Sequence, residues 1–101
     1  MYLQSVKAMR FEWDEEKNRV NRRKHGLAFA DAHLVFAGRT LTFEDLRQPY
    51  DEPRYVTAGT LAGRMVIIAH TLRGGATRII SMRKANARER ARYQERLGEN
   101  R

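Results

Sequence analysis

The sequence predicts a small α+β domain in which two N-terminal helices and one C-terminal helix pack around a mainly antiparallel sheet of about four to five strands. Apolar, β-branched runs flank the glycine pair Gly74-Gly75, and this pattern is typical of a long β-hairpin. In segment 14–26 acidic residues come first, basic residues follow and Gly26 comes last, and this order is typical of a capped helix. With 101 residues, the chain is expected to form one domain over residues 9–101, preceded by a disordered extension at residues 1–8.

The first half of the chain is expected to contain one short strand and two helices. Phe11–Trp13 has the composition of a strand, and Asp14 is a good N-cap because its carboxylate can accept hydrogen bonds from free backbone N–H groups. The first helix would run to Lys24, and Gly26 would supply its C-terminal stop. Leu27–Phe36 repeats apolar residues at helical spacing, which predicts a second helix lying on the sheet.

The second half is expected to form a four-stranded meander followed by a closing helix. Leu41–Phe43 and Arg54–Thr60 have strand composition, and the polar, proline-containing segment Asp45–Pro53 between them is expected to be a loop. The hairpin of Gly63–Arg83 follows these strands. Lys84–Leu97 is rich in arginine and poor in apolar residues, so we expect a helix that rests on the sheet along one edge.

The hairpin brings charged residues together if Thr71 pairs with Ala76 across the turn. In that register Arg64 lies directly opposite Arg83, and opposed residues share a face of the sheet. Because like charges placed opposite each other are destabilising, this end of the hairpin is expected to hold an anion. His70 would lie on the same face at the far end. The other face would be the core, formed by Met65, Ile67, Ala69, Ile80 and Met82.

The charge of the chain suggests a polyanionic partner. The formal net charge is +8, and residues 51–101 hold 11 Lys and Arg against 5 Asp and Glu. An excess of this size is typical of nucleic-acid binding, although a solvated basic surface with no specific partner explains the composition equally well. The chain has no cysteine, and its three histidines lack metal-ligand spacing, so neither a metal nor another cofactor is expected.

No segment is expected to enter a membrane. The longest apolar run, Met65–Ala69, is far shorter than the ~20 residues that a membrane-spanning helix needs. No charged-then-apolar leader opens the sequence, and nothing points to an oxidising compartment. A cytoplasmic location is therefore expected.

Two blocks of the sequence resemble the BrnT family of toxins. The first is the pattern F-E-W-D-x-x-K-x-x-x-N-x-x-K-H-G, which occupies Phe11–Gly26. The second block comprises Gly63-Arg64, His70-Thr71, Arg78–Ala85 and Glu89–Tyr93. The two blocks occur in the order expected of the family, and the resemblance covers nearly the whole chain.

The resemblance implies a RelE-like fold and a toxin of a type II toxin–antitoxin system that cleaves RNA without a metal ion and inhibits translation. It also implies a BrnA-like antitoxin with a ribbon-helix-helix DNA-binding region, encoded next to the toxin and bound to it in a hetero-oligomer. Operator DNA would be reached only through that antitoxin. The alternative is a catalytically inactive homologue that acts as an antitoxin co-repressor or as a general nucleic-acid-binding module.

Arg64 and Arg83 are the candidates for stabilising a scissile RNA phosphate. Cleavage without a metal needs a base for the 2′-hydroxyl, cations for the pentacoordinate phosphate and an acid for the leaving oxygen. Guanidinium groups suit the second role because they bind phosphate oxygens bidentately and stay charged. The alternative is an arginine pair neutralised by acidic partners, for example Glu12 or Glu89.

Lys24 and His25 are the candidates for supplying charge and a proton. The carbonyl end of a helix attracts positive charge, which favours the acid form of His25, unless this histidine only caps the last carbonyl groups. His70 would lie roughly 20 Å along the strand from Arg64, too far to act on the same phosphate. His33, on the packing face of the second helix, is interpreted as a core or interface residue.

Further contacts to RNA are expected from Ser81, Lys84, Arg88 and Tyr93. Ser81 shares the predicted arginine face and would hydrogen-bond a phosphate. RelE-like enzymes often use a C-terminal tyrosine, which would give Tyr93 a role in the site, but a purely packing aromatic is an equal alternative. The basic helix that contains Arg88 would bind backbone phosphates nonspecifically, unless it is simply a solvated face.

Overall fold

The computed structural model describes residues 9–98, so the expected extension at residues 1–8 lies outside the described part of the chain. The described residues form five strands and three helices in the order that the sequence predicts, and the α+β class is confirmed. A single 3-10 turn, Phe29–Asp31, leads into the second helix. The elements are β1 Phe11–Trp13, α1 Glu15–His25, α2 Ala32–Phe36, β2 Leu41–Glu44, β3 Tyr55–Leu61, β4 Arg64–Arg73, β5 Ala76–Lys84 and α3 Ala87–Gly98.

Both predicted caps of α1 are present. The Asp14 carboxylate accepts hydrogen bonds from the backbone N–H groups of Glu16 and Lys17, at 2.8 and 3.2 Å. Gly26 adopts a left-handed φ of 71°, and its N–H group donates to the carbonyl oxygen of Arg22. A side chain with a Cβ atom would be strained in that conformation, so the helix ends at this glycine.

The five strands form one mixed sheet in the order β1-β5-β4-β3-β2. β1 runs parallel to β5, with Glu12 opposite Arg78, whereas the other three neighbouring pairs are antiparallel. The expectation of a mainly antiparallel sheet is therefore corrected to a mixed one. Two helices and three strands separate β1 from β5, and such a long connection lets two neighbouring strands run in the same direction.

The turn of the central hairpin contains two residues rather than the expected four. Gly74 and Gly75 have φ angles of 57° and 81°, and Arg73 pairs directly with Ala76. A two-residue turn with positive φ at both positions matches the twist of antiparallel strands, and glycine adopts this conformation without a steric penalty. The expected pairing of Thr71 with Ala76 is therefore wrong.

A β-bulge interrupts β5 in the middle of the hairpin. Ala69 lies opposite Ser81, but its neighbour His70 lies opposite Ile79, so Ile80 is the extra residue. A bulge of this kind reverses the alternation of side chains along its strand. In a regular strand, two residues an even number of positions apart lie on the same face. When the bulge stands between them, they lie on opposite faces of the sheet.

The bulge separates the two arginines that the sequence places together. Beyond it, Met82 faces the helices and Arg83 faces the other side of the sheet, opposite Ile67. Arg64 pairs with Leu61 of β3 at the end of the sheet, so it is not a cross-strand neighbour of Arg83. The predicted arginine pair is wrong because the shorter turn and the bulge together change the register.

The main core lies between the sheet and the two helices α1 and α2, which cover one of its faces. Gly59 of β3 lets α2 approach the sheet closely, because a Cβ atom at this position would lie 2.6 Å from Cγ1 of Val35. Val66 and Ile68, which the sequence places on the arginine face, belong to this core, whereas Ile67 packs in a smaller cluster on the other side. The fully buried residues of the main core include Phe29, Ala32, Val35, Val66, Ile68, Ile79 and Met82.

His70 lies in the main core, not on the arginine face, which corrects its predicted position. Its Nε2 atom is 2.7 Å from the hydroxyl oxygen of Thr57, and its ring packs between Phe36 and Tyr55 with centroid distances of 5.2 and 5.9 Å. Burial lowers its pKa to about 4, because an imidazolium would lose its hydration there. His70 is thus a neutral core residue at physiological pH.

His33 is exposed, so it is not a core residue, and its interpretation as an interface residue stays a prediction. Its Nδ1 atom lies 2.8 Å from the carbonyl oxygen of Ala30. The 3-10 turn before α2 changes the phase of the helix, and Val35 rather than His33 faces the sheet.

Two asparagines attach α1 to the rest of the fold. Asn21 donates from Nδ2 to the carbonyl oxygens of Met82 and Leu27, and its Oδ1 accepts from the backbone N–H of Met82. Asn18 accepts from the backbone N–H of Phe29. By contrast Val20, the one large apolar residue of the helix, is 47% exposed. The helix is therefore held by polar contacts to the backbone of β5 and of the segment that contains Leu27 and Phe29.

Candidate functional site

The face of the sheet opposite the main core is only partly covered, and it forms a cleft along α3. This cleft, here called the α3 cleft, has a volume of about 350 Å³ and lies between β2, the loop after it, the middle of the sheet and α3. An apolar floor that includes Ile67 and Val56 lies beneath it. The polar and aromatic residues along it include Arg47, Ser81, Arg83, Glu89, Arg92 and Tyr93.

Arg83 is held by Glu89 at the centre of the α3 cleft. Its two terminal nitrogens donate to the two carboxylate oxygens of Glu89, at 2.7 and 2.8 Å. These bonds lower the pKa of Glu89 to about 2 and raise the pKa of Arg83. Of the two alternatives for this arginine, the structure thus contains the acidic partner, while 39% of the Arg83 side chain remains exposed.

Glu89 also fixes the start of α3. Its Oε1 accepts from the backbone N–H of Asn86, and the side-chain oxygen of Asn86 accepts from the backbone N–H of Glu89. This reciprocal pair is a capping box, which satisfies two backbone donors at a helix start. One carboxylate therefore joins the beginning of α3 to Arg83 of β5.

Arg47 is a second cation of the cleft that the sequence analysis missed. Its Nε and Nη2 atoms donate to the carboxylate of Asp45, at 2.9 and 2.8 Å, and Tyr50 donates to the same carboxylate at 3.0 Å. The Asp45 side chain is buried and its pKa is well below the usual range, chiefly because of these bonds from Arg47. The Asp-x-Arg spacing in a polar loop, which is typical of a local side-chain turn, could have revealed it.

Ser81 and Tyr93 also lie in the α3 cleft. Ser81 is half-buried on β5, two residues before Arg83 and on the same face beyond the bulge. The ring of Tyr93 packs on Phe43 with a centroid distance of 5.7 Å and covers the cluster that contains Ile67. Three of the predicted site residues, Ser81, Arg83 and Tyr93, are therefore brought together.

The structure places the other predicted site residues elsewhere. Arg64 and Lys84 line a different cleft at the end of the sheet. Lys24 and His25 belong to α1, which packs on the opposite face, and Arg88 is exposed on α3. A joint action of Lys24 and His25 with Arg83 on one phosphate is not supported by these positions.

Glu12 forms an ion pair at the edge of the sheet. Its Oε2 atom accepts from Nη1 of Arg78 at 2.8 Å, directly across the β1–β5 pairing. Glu12, which the sequence offered as an acidic partner for the pair of Arg64 and Arg83, therefore pairs with a different arginine.

Residues 9–98 contain no group of three or more His, Cys, Asp or Glu side chains arranged to hold a metal ion. Within the same residues, none of the helices has the length and apolar character needed to cross a membrane.

The sequence was also compared with known proteins. Residues 13–89 match a family model described as the ribonuclease toxin, BrnT, of type II toxin–antitoxin systems. The matched segment begins at the last residue of β1, contains all elements from α1 through β5 and reaches Glu89 of the α3 cleft. No curated protein matches the chain.

Proposed function

The chain belongs to the BrnT family of ribonuclease toxins of type II toxin–antitoxin systems, and on that premise we propose that it is an endoribonuclease that cleaves RNA in the α3 cleft. The observation that carries this location is the Arg83–Glu89 pair, which places an oriented guanidinium in an open cleft beside a second arginine. Glu89 engages two of the five N–H donors of a guanidinium, which leaves three for an incoming phosphate.

The cations of the α3 cleft would stabilise the transition state. In the proposed cleavage the 2′-oxygen bonds to the adjacent phosphorus and gives its proton to a water molecule, the bond from phosphorus to the 5′-oxygen breaks, and that oxygen takes a proton from water, which leaves a 2′,3′-cyclic phosphate and a 5′-hydroxyl end. Negative charge builds up on the phosphate oxygens in the transition state, and fixed donors lower the barrier because they need not reorganise. Arg83 would bind these oxygens, while Arg47 and Arg92 would add positive charge from the two walls of the cleft. Metal independence follows as part of the proposal, because the arginines would take the role of a divalent cation.

Ser81 and Tyr93 would contact the same substrate. The Ser81 hydroxyl would hydrogen-bond a phosphate oxygen, and the ring of Tyr93, which already packs on Phe43, would offer a surface against which a nucleobase stacks. We propose no role for Lys24 and His25 at this phosphate, since α1 lies across the sheet. Arg88, exposed near the start of α3, would contact the RNA backbone beyond the cleft.

Family membership supports the biological setting of the proposal. The toxin would inhibit translation in the cytoplasm, within a RelE-like fold, and a BrnA-like ribbon-helix-helix antitoxin would neutralise it in a hetero-oligomer. The complex would reach operator DNA through the antitoxin alone.

The test is inducible expression of the wild type and of Arg83→Gln, combined with cleavage of purified RNA in the presence of EDTA. We expect growth arrest and EDTA-resistant cleavage from the wild type and neither from Arg83→Gln. Arg19→Gln is the matched control, because Arg19 is an exposed, ion-paired arginine on the other side of the sheet. A harmless wild type that cleaves no RNA would contradict the proposal and favour an inactive co-repressor. Full cleavage by Arg83→Gln would contradict the placement of the chemistry in the α3 cleft.

A further inference from the structure

A second cleft lies at the end of the sheet, where the β3–β4 turn meets α3. This sheet-end cleft has a volume of about 760 Å³, roughly twice that of the α3 cleft. Its cations come from four different segments of the chain: Arg39 precedes β2, Arg64 begins β4, Lys84 ends β5 and Arg90 lies on α3. None of the described residues that line it is acidic.

The cations of the sheet-end cleft have no counterions among residues 9–98. The ion pairs of the described residues use other arginines, and in the α3 cleft both Arg47 and Arg83 are paired with a carboxylate. Arg90 donates only to a backbone carbonyl, that of Ala85, at 2.9 Å. Like charges gathered without a partner repel one another, so this surface is suited to an anion supplied from outside.

The arrangement favours a chain of phosphates over a single anion. The four cations lie around a large, open cleft and come from separate elements, whereas a site for one phosphate would converge its donors on one point. The described lining contains no aromatic residue on which a base would stack. The cleft would therefore bind the phosphate backbone without recognising the base sequence.

The two clefts lie on either side of α3. Glu89 and Arg92 line the α3 cleft, while Arg90 and Gln94 line the sheet-end cleft. On β5, Arg83 lines the α3 cleft and the next residue, Lys84, lines the sheet-end cleft. An extended strand of RNA that occupies one cleft can therefore cross the start of α3 and enter the other.

We propose that the sheet-end cleft is a second RNA site, which binds phosphates flanking the scissile bond. Arg39, Arg64 and Lys84 then contribute to substrate capture, and Arg83 contributes to the cleavage step. This inference rests on the proposed ribonuclease function for the identity of the polyanion, and it assigns Arg64 to a site other than the catalytic one.

The experiment compares two triple variants of equal charge. Arg39→Gln/Arg64→Gln/Lys84→Gln removes three cations of the sheet-end cleft, and Arg19→Gln/Arg22→Gln/Arg23→Gln removes three exposed cations of α1. The probe is a single-stranded RNA whose 2′-hydroxyls are methylated so that it cannot be cleaved. Binding is followed by fluorescence anisotropy over a range of salt concentrations, and circular dichroism establishes that both variants are folded.

We expect the cleft variant to bind the probe at least about tenfold more weakly than the control. The slope of log Kd against the logarithm of the salt concentration should be smaller by about 2. A dinucleotide, which reaches only the α3 cleft, should be cleaved at the wild-type rate by the cleft variant. For a long RNA, kcat/KM should fall while kcat is retained.

Equal binding of the probe by the two triple variants would overturn the inference. So would a cleft variant that keeps its affinity for RNA but loses its complex with the antitoxin, because the cleft would then bind an acidic polypeptide. If the wild type binds RNA through this cleft but cleaves none, the proposed function fails, and the cleft stands as an RNA-binding site without a scissile bond beside it. If the wild type cleaves RNA and the cleft variant binds the probe as tightly as the control does, the second site is wrong but the proposed ribonuclease function is not affected.

Discussion

Glu89 binds both terminal nitrogens of Arg83, at 2.7 and 2.8 Å, while it also caps the first turn of α3. One carboxylate thus couples the position of a helix to the orientation of the guanidinium in the α3 cleft. The pair is partly exposed, with side-chain exposures of 18% for Glu89 and 39% for Arg83, so its contribution to stability is screened by solvent.

Glu89→Gln should lower the stability of the protein at neutral pH by about 1 kcal/mol. Glutamine can keep the capping box but loses the charge that pairs with Arg83. Because the pKa of Glu89 is lowered to about 2 from an ordinary 4.5, its stabilising effect is present above pH 4.5 and is lost as the pH falls towards 2. Urea unfolding of both proteins at pH 7 and pH 3 measures the difference, which should shrink at the lower pH. An equal difference at both pH values would exclude the ion pair as its source.

His70→Gln should flatten the pH dependence of stability between pH 6.5 and 4. The folded pKa of His70, about 4, lies below the ordinary 6.5, so the unfolded chain binds more protons in this window and wild-type stability falls as the pH falls. Over the whole window the loss attributable to His70 is roughly 2 kcal/mol. Glutamine does not titrate but can still hydrogen-bond Thr57.

Urea titrations of the wild type and His70→Gln at pH 7, 5.5 and 4.5 measure this effect. All other residues are the same in the two proteins, so their contributions to the pH dependence cancel in the difference. Parallel stability curves for the two proteins would show that His70 is not a buried neutral group.

Asn21→Ala should destabilise the protein by about 2–3 kcal/mol, because it leaves the buried backbone N–H and carbonyl groups of Met82 without their partners. Val20→Ala, one residue away on the half-exposed surface of the helix, is the matched control and should cost less than about 1 kcal/mol. Thermal and urea unfolding measure both. Equal losses would mean that α1 is held by apolar contacts instead.

The order of elements and the caps of α1 follow from the sequence because they depend on local chemistry. Asp14 and Gly26 act through hydrogen bonds and backbone conformation within a few residues, and these preferences are readable from residue type alone. The register of the hairpin, by contrast, cannot be predicted from local residue types. Both of its faces are apolar, as Ile67 and Ile68 illustrate, so the usual alternation of polar and apolar residues gives no signal for a two-residue turn or a bulge.

The site was predicted only in part for the same reason. Arg83, Ser81 and Tyr93 lie in one cleft, and Glu89 was one of the acidic partners that the sequence offered for the arginines. The choice between Arg64 and Glu89 as the neighbour of Arg83 depends on the bulge, which no local pattern reveals. The attachment of Asn21 to Met82 is a contact between side chain and backbone over 61 residues of sequence, and residue periodicity carries no information about such contacts.

Arg83→Lys should reduce kcat for RNA cleavage by about 100-fold with a small effect on KM, because a single ammonium cannot bind Glu89 in a fork and still present fixed donors to the phosphate. Arg64→Gln should instead raise KM for a long RNA and leave kcat in place, since Arg64 lies in the sheet-end cleft. Arg73→Lys, an exposed arginine paired with Glu52, is the control for loss of a guanidinium in general. Single-turnover cleavage separates the two parameters, and thermal unfolding detects any loss of structure. A larger fall in kcat for Arg64→Gln than for Arg83→Lys would place the chemistry at the end of the sheet and not beside Glu89.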